Sequence, residues 1–263
     1  MNTKSNKFRT LYLSLFFLVL YVPVLSVVLY SFNQSSSTAQ WTGFTLDWYR
    51  ELFNDAIIFE AFKVSIVVAL LTSIFSAIVG TAAAIISIYV TNKTEKAMNG
   101  SMFVPLIVPE VALGLSLLIF FSELNLKFGT LTLVIGHSLF CIPYVYIMVQ
   151  IRLKEISISI VEAAKDLGAS RWQVIKTILL PLVIPSTLTG SLLAFAMSLD
   201  DVIISSYMSG PTTSTLPVHI YSMMRTGVTP KVNALSSLFL LGTFLLIGLN
   251  QFLGRKGEKL NEK

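Results

Sequence analysis

The chain has 263 residues, of which 54% are hydrophobic and 13% are charged. Soluble globular domains carry about 25% charged residues, so this composition excludes an ordinary soluble globule. The net charge of +5 does not indicate a nucleic-acid-binding domain, because the basic residues lie in short stretches between apolar runs. The apolar runs instead allow several membrane crossings of about 20 residues each.

The first apolar run, from about Leu11 to Phe32, predicts an uncleaved membrane helix. It is longer than the apolar core of a signal peptide, about 7 to 15 residues, and lacks a convincing small-residue cleavage site. Pro23 is tolerable in this helix if neighbouring groups satisfy the freed backbone atoms. The polar segment from Asn33 to Phe62 follows, and its aromatic residues, including Trp48, suit a membrane interface.

Five further apolar runs bring the predicted number of transmembrane helices to six. They are Lys63–Val90, Ser101–Phe121, Thr130–Val149, Leu182–Tyr207 and Val232–Leu253. A segment at His219–Met224 is too short to cross and is expected at the outer surface. We therefore predict an all-α membrane protein in which residues 1–263 form a single transmembrane domain.

The distribution of basic residues predicts the orientation of these helices. With both termini inside, the inner segments contain 14 Lys and Arg residues and the outer segments contain 5. Cytoplasmic loops carry the excess of such residues. Both termini, and the polar segment at about residues 155–181, are therefore predicted to be cytoplasmic.

Metal, disulfide and nucleotide chemistry are not indicated. The single cysteine, Cys141, excludes an internal disulfide. The two histidines, His137 and His219, are far apart in the sequence, with no Cys or His at ligand spacing. No Walker glycine loop ending in Gly-Lys-Ser/Thr is present, so the chain is expected to bind no cofactor of its own.

Residues 162–181 form a polar island that predicts two short helices joined at a glycine. A first helix at about Ile158–Leu167 has one apolar face. This face consists of Ile160, Val161, Ala164 and Leu167. Gly168 is expected to end the helix in a left-handed conformation. Ser170 and Gln173 form a capping box that starts the second helix, and Pro181 is expected to follow its last turn.

This island resembles the EAA loop of the permease subunits of ABC importers. The family's spacing is Glu-Ala-Ala, three residues, Gly, nine residues, Ile, one residue, Leu-Pro. It is present without departure at Glu162, Ala163, Ala164, Gly168, Ile178, Leu180 and Pro181. The resemblance implies that the loop fits a groove on a cytoplasmic ATPase, whereas the alternative is a short amphipathic connection that matches by chance.

Three acidic residues lie inside predicted membrane helices, where an ionisable group costs a few kcal/mol and is a functional candidate. Glu110 lies in the third helix, and Asp200 and Asp201 lie in the fifth. A rise of 1.5 Å per residue places Glu110 roughly 14 Å, and Asp200 roughly 27 Å, from the inner end of its helix. Because no equally deep Lys or Arg is available to neutralise them, the three acids favour a cation.

Small and polar residues recur at helical spacing along the fifth predicted helix. They are Thr187, Ser191, Ala194, Ser198, Asp201 and Ser205. This stripe predicts that Asp201 faces a polar seam, with Asp200 on its flank. The alternative is that the seam is a contact between helices, which small and hydroxylated residues often form in lipid.

The segment Ser198–Ser206 resembles the Ser-(Leu/Met)-Asp-Asp-Val segment of PotC-type spermidine/putrescine permeases. The pair Pro109-Glu110 and the turn Tyr21-Val22-Pro23 resemble the same family, which often has Asp where this chain has Glu110. The resemblance covers nearly the whole chain. It implies that a polyamine contacts Tyr21, Trp48, Glu110, Ser198, Asp200 and Asp201. For Trp48, an interfacial anchor is an open alternative.

The resemblance also implies the type I ABC importer permease (MetI-like) fold in a bacterial cytoplasmic (plasma) membrane. The implied partners are a second homologous permease subunit, two ATPase subunits that bind ATP and Mg, and an extracytoplasmic polyamine-binding protein. The chain itself is then a transport subunit and not an enzyme. The alternatives are the same architecture carrying another solute, such as a metal cation, an intramembrane enzyme that uses the acids, and a structural or sensor membrane protein.

Overall fold

The computed structural model describes residues 3–36 and 40–261, and every regular element within these ranges is a helix. The elements are α1 (Thr3–Tyr30), α2 (Asp47–Phe53), α3 (Ala56–Ser87), α4 (Asn92–Ile107), α5 (Glu110–Glu123), α6 (Thr130–Glu155), α7 (Ile158–Asp166), α8 (Arg171–Val174), α9 (Leu180–Asp200), α10 (Ile203–Met208), α11 (Leu216–Thr226) and α12 (Pro230–Asn261). A π-helical turn, Ile175–Leu179, joins α8 to α9. The predicted all-α class is confirmed.

The chain forms two compact units, Met1–Phe59 with Ile220–Lys263, and Glu60–His219. In the first unit, α12 packs against α1 and against α2. The Lys231 ammonium, at the start of α12, donates to Glu51 Oε1 at 2.5 Å and to Asp55 Oδ2 at 3.1 Å. These two ion pairs fix the short polar helix α2 to α12.

The ion pairs of Lys231 predict a pH dependence of stability. Partial burial works against the charged forms. Even so, the hydrogen bond from Lys231 lowers the pKa of Asp55, and the hydrogen bonds to Glu51 and Asp55 raise the pKa of Lys231. The stabilisation by Asp55 is therefore present above its usual pKa of about 4 and is lost as the pH falls through its lowered value.

We expect Lys231→Met to lower the melting temperature of the purified protein at pH 7. The difference from the wild type should shrink when both are measured at pH values below about 3. An equal difference at both pH values would contradict an ionic role for Lys231.

The core of the second unit lies around α6, which packs against α4, α5, α9 and α10. Glycines permit the closest of these approaches. A Cβ atom at Gly190 of α9 would lie 2.9 Å from Val145 Cα, and a Cβ atom at Gly80 of α3 would lie 2.9 Å from Val145 Cβ. Small residues at such crossings allow the close packing that holds helices together in lipid.

The crossing of α6 and α9 predicts a stability difference between two glycine substitutions. Gly190→Ala forces the two backbones apart and is expected to destabilise the protein by about 1–3 kcal/mol. Gly100→Ala is the matched control, because a Cβ atom at Gly100 of α4 meets nothing within 4 Å. Thermal unfolding in detergent measures both, and equal melting temperatures for the two variants would contradict the tight crossing.

Four helical segments of the described chain are long and apolar enough to cross a membrane. They are Tyr12–Tyr30, Ala56–Ser87, Thr130–Glu155 and Arg171–Asp200. The pair α4 and α5, bent by 102°, makes a fifth if the two helices are one broken span. The predicted sixth helix, Val232–Leu253, includes side chains that lie outside the described part of the chain. The count of six therefore stays a prediction.

The third predicted helix, Ser101–Phe121, is broken. Helix α4 ends at Ile107, Val108 is extended, and α5 begins at Glu110. Pro109 explains the break, because its ring disfavours the helical conformation of the preceding residue and it has no N–H to donate. The depth of roughly 14 Å for Glu110 was counted along a straight helix, and the 102° bend between α4 and α5 contradicts that assumption.

The fifth predicted helix, Leu182–Tyr207, is broken as well. Helix α9 ends at Asp200, Asp201 has an extended backbone (φ −65°, ψ 126°), and α10 begins at Ile203. No proline or glycine marks this break in the sequence. The predicted polar stripe therefore stops at Ser198 and does not continue to Asp201 on the same helix.

The EAA-like segment confirms the glycine turn and the capping box. Gly168 has a φ of +84°, and Ala169 N donates to Ala164 O across the end of α7. Ser170 N donates to Gln173 Oε1 at 2.7 Å, and Gln173 N donates to Ser170 Oγ at 3.3 Å. These bonds satisfy backbone donors at the start of α8 and hold the chain in an elbow.

The predicted position of Pro181 after the last turn of the second helix is wrong. Arg171–Asp200 is one helical segment, and Pro181 lies in the first turn of α9. The π-helical turn that precedes it explains how the helix continues, since Leu180 N bonds to Ile175 O, five residues back. This wider turn accommodates the ring and the missing N–H of Pro181.

Candidate functional site

His137 of α6 bonds to both sides of the break between α9 and α10. Its Nδ1 atom lies 2.6 Å from Ser198 Oγ, in the last turn of α9. Its Nε2 atom lies 3.0 Å from Ser205 Oγ, on α10, and 3.3 Å from Asp201 Oδ2, at the break itself. The imidazole is fully buried. One side chain therefore connects three positions around the break.

The carboxylate of Asp201 caps α10. Ile204 N donates to Asp201 Oδ1 at 3.3 Å, and Ser205 N donates to Asp201 Oδ2 at 2.7 Å. A carboxylate in this position satisfies the free backbone donors of the helix and interacts favourably with its dipole. Because 6% of the side chain is exposed, Asp201 is committed to the protein interior.

The prediction that the three acids lack partners within the chain is wrong for Asp201, which pairs with His137. The sequence argument considered only Lys and Arg as partners. His137 is itself an ionisable residue inside a predicted membrane helix, and the reasoning that singled out the acids applies to it equally. That rule was the available signal for His137.

Asp200 and Glu110 are exposed in the second unit. Asp200 is the last residue of α9, and Glu110 is the first residue of α5, so each lies at one of the two breaks. Helix α5 packs on α10, and a Cβ atom at Gly114 would lie 2.5 Å from the ring of Tyr207. The two breaks thus present two exposed carboxylates.

Ser198 differs from these acids, because it is 3% exposed and bonded to His137. Ser198, His137 and Asp201 together have the residue types of the Ser-His-Asp triads of hydrolases. A nucleophile must reach its substrate, and the Ser198 hydroxyl is instead enclosed between α6 and α9. The bond between His137 and Ser198 is therefore a buried contact between α6 and α9.

Tyr21 and Trp48 belong to the first unit. Tyr21 is exposed on α1, with its ring stacked near Phe17 at a centroid distance of 6.3 Å. Trp48 is half-buried on α2, and its Nε1 atom donates to Asn33 O at 2.8 Å. This bond anchors the indole to the loop after α1.

The elbow has a packed face and an exposed face. Val161, Ala164 and Ala169 pack against the core of the second unit. Leu167 and Trp172 project outwards and are 89% and 70% exposed. The predicted apolar face is therefore packed on the core at Val161 and Ala164 but exposed at Leu167 and at Ile160, which is 45% exposed. Leu167 and Trp172 are thus two large exposed apolar side chains on an otherwise polar segment.

The remaining residues of the EAA-like pattern divide between these two faces. Glu162 and Ala163 are exposed, whereas Ile178 packs against the core. Leu180 and Pro181 are exposed on the first turn of α9. The charged groups of Lys165 and Arg171 each lie 6.0 Å from the ring centroid of Tyr89, which links the elbow to the end of α3.

Comparison with known proteins shows that the chain is similar to transport proteins. Residues 76–258 match the family model described as "Binding-protein-dependent transport system inner membrane component". The chain is 39% identical over 261 residues to "Putrescine transport system permease protein PotI" of Escherichia coli (strain K12), covering 95% of this chain and 92% of that protein. It is 35% identical over 242 residues to "Spermidine/putrescine transport system permease protein PotC" of the same strain, covering 92% of each.

The fold is shared with chains of solved ABC importers. A chain of a bacterial ABC transporter involved in the import of the acidic polysaccharide alginate aligns with a TM-score of 0.76 at 15% identity, over 95% of this chain and 94% of that one. A chain of the MetNI methionine ABC transporter aligns with a TM-score of 0.61 at 16% identity, over 81% of this chain and 98% of that one. The predicted MetI-like permease fold is confirmed.

Proposed function

Because the chain belongs to the family of binding-protein-dependent transport system inner membrane components, we propose that it is the permease subunit of an ATP-driven ABC importer of polyamines. The exposed carboxylates of Glu110 and Asp200 carry this proposal. They lie at two breaks of the helical chain, and near-full-length relatives are named as spermidine and putrescine permeases.

The chemistry of a polyamine fits two exposed carboxylates. Its ammonium groups are spaced along a flexible chain, so separate carboxylates bind different groups in turn. Each contact must be weak enough for release, because transport through several sites fails when one site holds tightly. Glu110 and Asp200 of the second unit supply these contacts, whereas Tyr21 and Trp48 stay separate predictions of the family resemblance. Ser198 and Asp201 are buried, and they contribute by holding the helices around the break between α9 and α10.

ATP hydrolysis by the partner ATPase subunits moves the elbow and, with it, the helices of this chain. Glu162 offers a charged contact, and Leu167 and Trp172 an apolar contact, to a groove on a cytoplasmic ATPase. The complete importer contains this chain, a second homologous permease subunit, two ATPase subunits and an extracytoplasmic polyamine-binding protein. ATP and Mg bind to the ATPase subunits, and the chain itself catalyses no reaction.

The importer lies in the bacterial cytoplasmic (plasma) membrane, with six membrane crossings and both termini in the cytoplasm. The 14-to-5 distribution of basic residues supports this orientation. It places Gly168 and the elbow on the side where ATP is available. The C-terminal Lys263, also assigned to this side, lies outside the described residues.

Substrate-stimulated ATP hydrolysis by the complete complex tests the proposed function. The complex is reconstituted in lipid with its binding protein and exposed to spermidine, putrescine, a trivalent metal cation or sulfate. We expect stimulation by the two polyamines alone. Stimulation by the metal cation without the polyamines would favour the alternative of a cation importer of the same architecture.

A further inference from the structure

We propose that His137 is a positioning residue for transport, because it holds the break between α9 and α10 in the form that exposes the carboxylate of Asp200. This inference rests on the proposed function and assigns a role to a residue that does not itself meet the substrate. His137 is fully buried on α6, and its bonds to Ser198 and Asp201 end on either side of Asp200 in the sequence.

The break has no other link of this kind in the part of the chain that the structure describes. Cys141 Sγ lies 3.5 Å from Ala194 O and contacts α9 alone. Thr132 Oγ1 donates to Met208 O at 2.9 Å and contacts α10 alone. The imidazole bonds to the last turn of α9 through Nδ1 and to the first turn of α10 through Nε2. It therefore sets the angle at which one helix ends and the next begins.

The geometry separates the two neighbouring acids. Asp201 is turned inward, where two backbone amides and the imidazole satisfy its carboxylate. Asp200 precedes it by one residue and is exposed. If Asp201 lost the imidazole, a buried carboxylate would lack part of its compensation, and such a group tends to move towards water. The break would then change shape and carry Asp200 with it.

The cost of this arrangement argues against a packing role alone. A buried imidazole and carboxylate are expensive in a membrane span, and well-packed apolar residues of similar size often stabilise a protein as well or better. Gly136 already lets α6 approach α10 closely, since a Cβ atom there would lie 3.0 Å from Ile204. Apolar contacts are thus available to hold the helices together, whereas they offer no polar partner to the buried carboxylate of Asp201.

A double-mutant cycle in the reconstituted complex tests the role of His137. Spermidine uptake per ATP hydrolysed is measured for the wild type, His137→Ala, Asp200→Asn and the double variant. We expect His137→Ala to lower this ratio about tenfold. The double variant should be no worse than Asp200→Asn alone, because His137 acts through Asp200. Ser138→Ala is the matched control, since Ser138 is a buried hydroxyl on α6 that donates to Val134 O.

Two results would overturn the inference. One is a normal uptake ratio in His137→Ala. The other is a double variant whose loss is the product of the two single losses, as expected when His137 only stabilises the fold. Should His137→Ala reduce the amount of assembled complex, Ser198→Ala replaces it in the cycle, because it removes one bond and keeps the ring. Wild-type complex that transports no polyamine would refute the proposed function itself, which distinguishes the two failures.

Discussion

Replacing Gly168 by Val is expected to lower polyamine uptake by at least about a hundredfold while the chain still inserts into the membrane. The φ of +84° at Gly168 is unfavourable for a residue with a side chain, and most unfavourable for a β-branched one. No atom would obstruct the added Cβ within 4 Å, so the effect is conformational. The elbow would open at the turn, and its outer face would no longer fit the ATPase subunits.

The control for this variant is Gly100→Val, which adds the same side chain in open space within helix α4. Both variants are compared at matched amounts in the membrane. ATPase subunits should co-purify less with Gly168→Val, or should hydrolyse ATP without transport. Uptake by Gly168→Val at the level of Gly100→Val would remove the elbow from the coupling mechanism.

Removing the charges of the two exposed carboxylates is expected to have the second large effect. Asp200→Asn and Glu110→Gln keep the shape of each side chain and delete its charge. A hydrogen bond to a charged group is worth about 1.5–3 kcal/mol. Each variant should therefore lower uptake by roughly 10- to 150-fold at a fixed low concentration of spermidine. Glu110→Asp keeps the charge and should be tolerated.

The matched control is Glu123→Gln, which removes an exposed carboxylate from the opposite end of α5. It is expected to change uptake less than twofold. Asp201→Asn should also reduce uptake, but through the cap of α10 and the bond to His137, and it should lower the stability of the complex as well. Normal uptake by both Asp200→Asn and Glu110→Gln would show that the exposed acids do not contact the substrate.

Local signals in the sequence predicted the features that depend on a few neighbouring residues. Gly168 and the pair Ser170 and Gln173 adopt the predicted turn and capping box, because each conformation follows from the residue types at that position. Pro109 also ends a helix for a local reason, since it constrains the residue before it. The depth of Glu110 was counted along a straight third helix, which ignored this constraint.

Features that depend on distant residues were not predicted. The only local mark of the break at Asp201 is the capping tendency of Asp itself, and its bond to His137, 64 positions earlier in the chain, could not be inferred from neighbouring residues. The exposed position of Leu167 likewise follows from how α7 packs on the core, which helical spacing alone does not give. Pro181 stays within a helix because the preceding π-helical turn accommodates it.

Uptake of labelled spermidine by the complete complex, reconstituted in lipid vesicles with its binding protein, tests the central claim most directly. The claim predicts accumulation that requires ATP, is inhibited by unlabelled putrescine and is strongly reduced when this chain carries Asp200→Asn. A complex that hydrolyses ATP and imports another solute, but does not accumulate spermidine or putrescine, would contradict it.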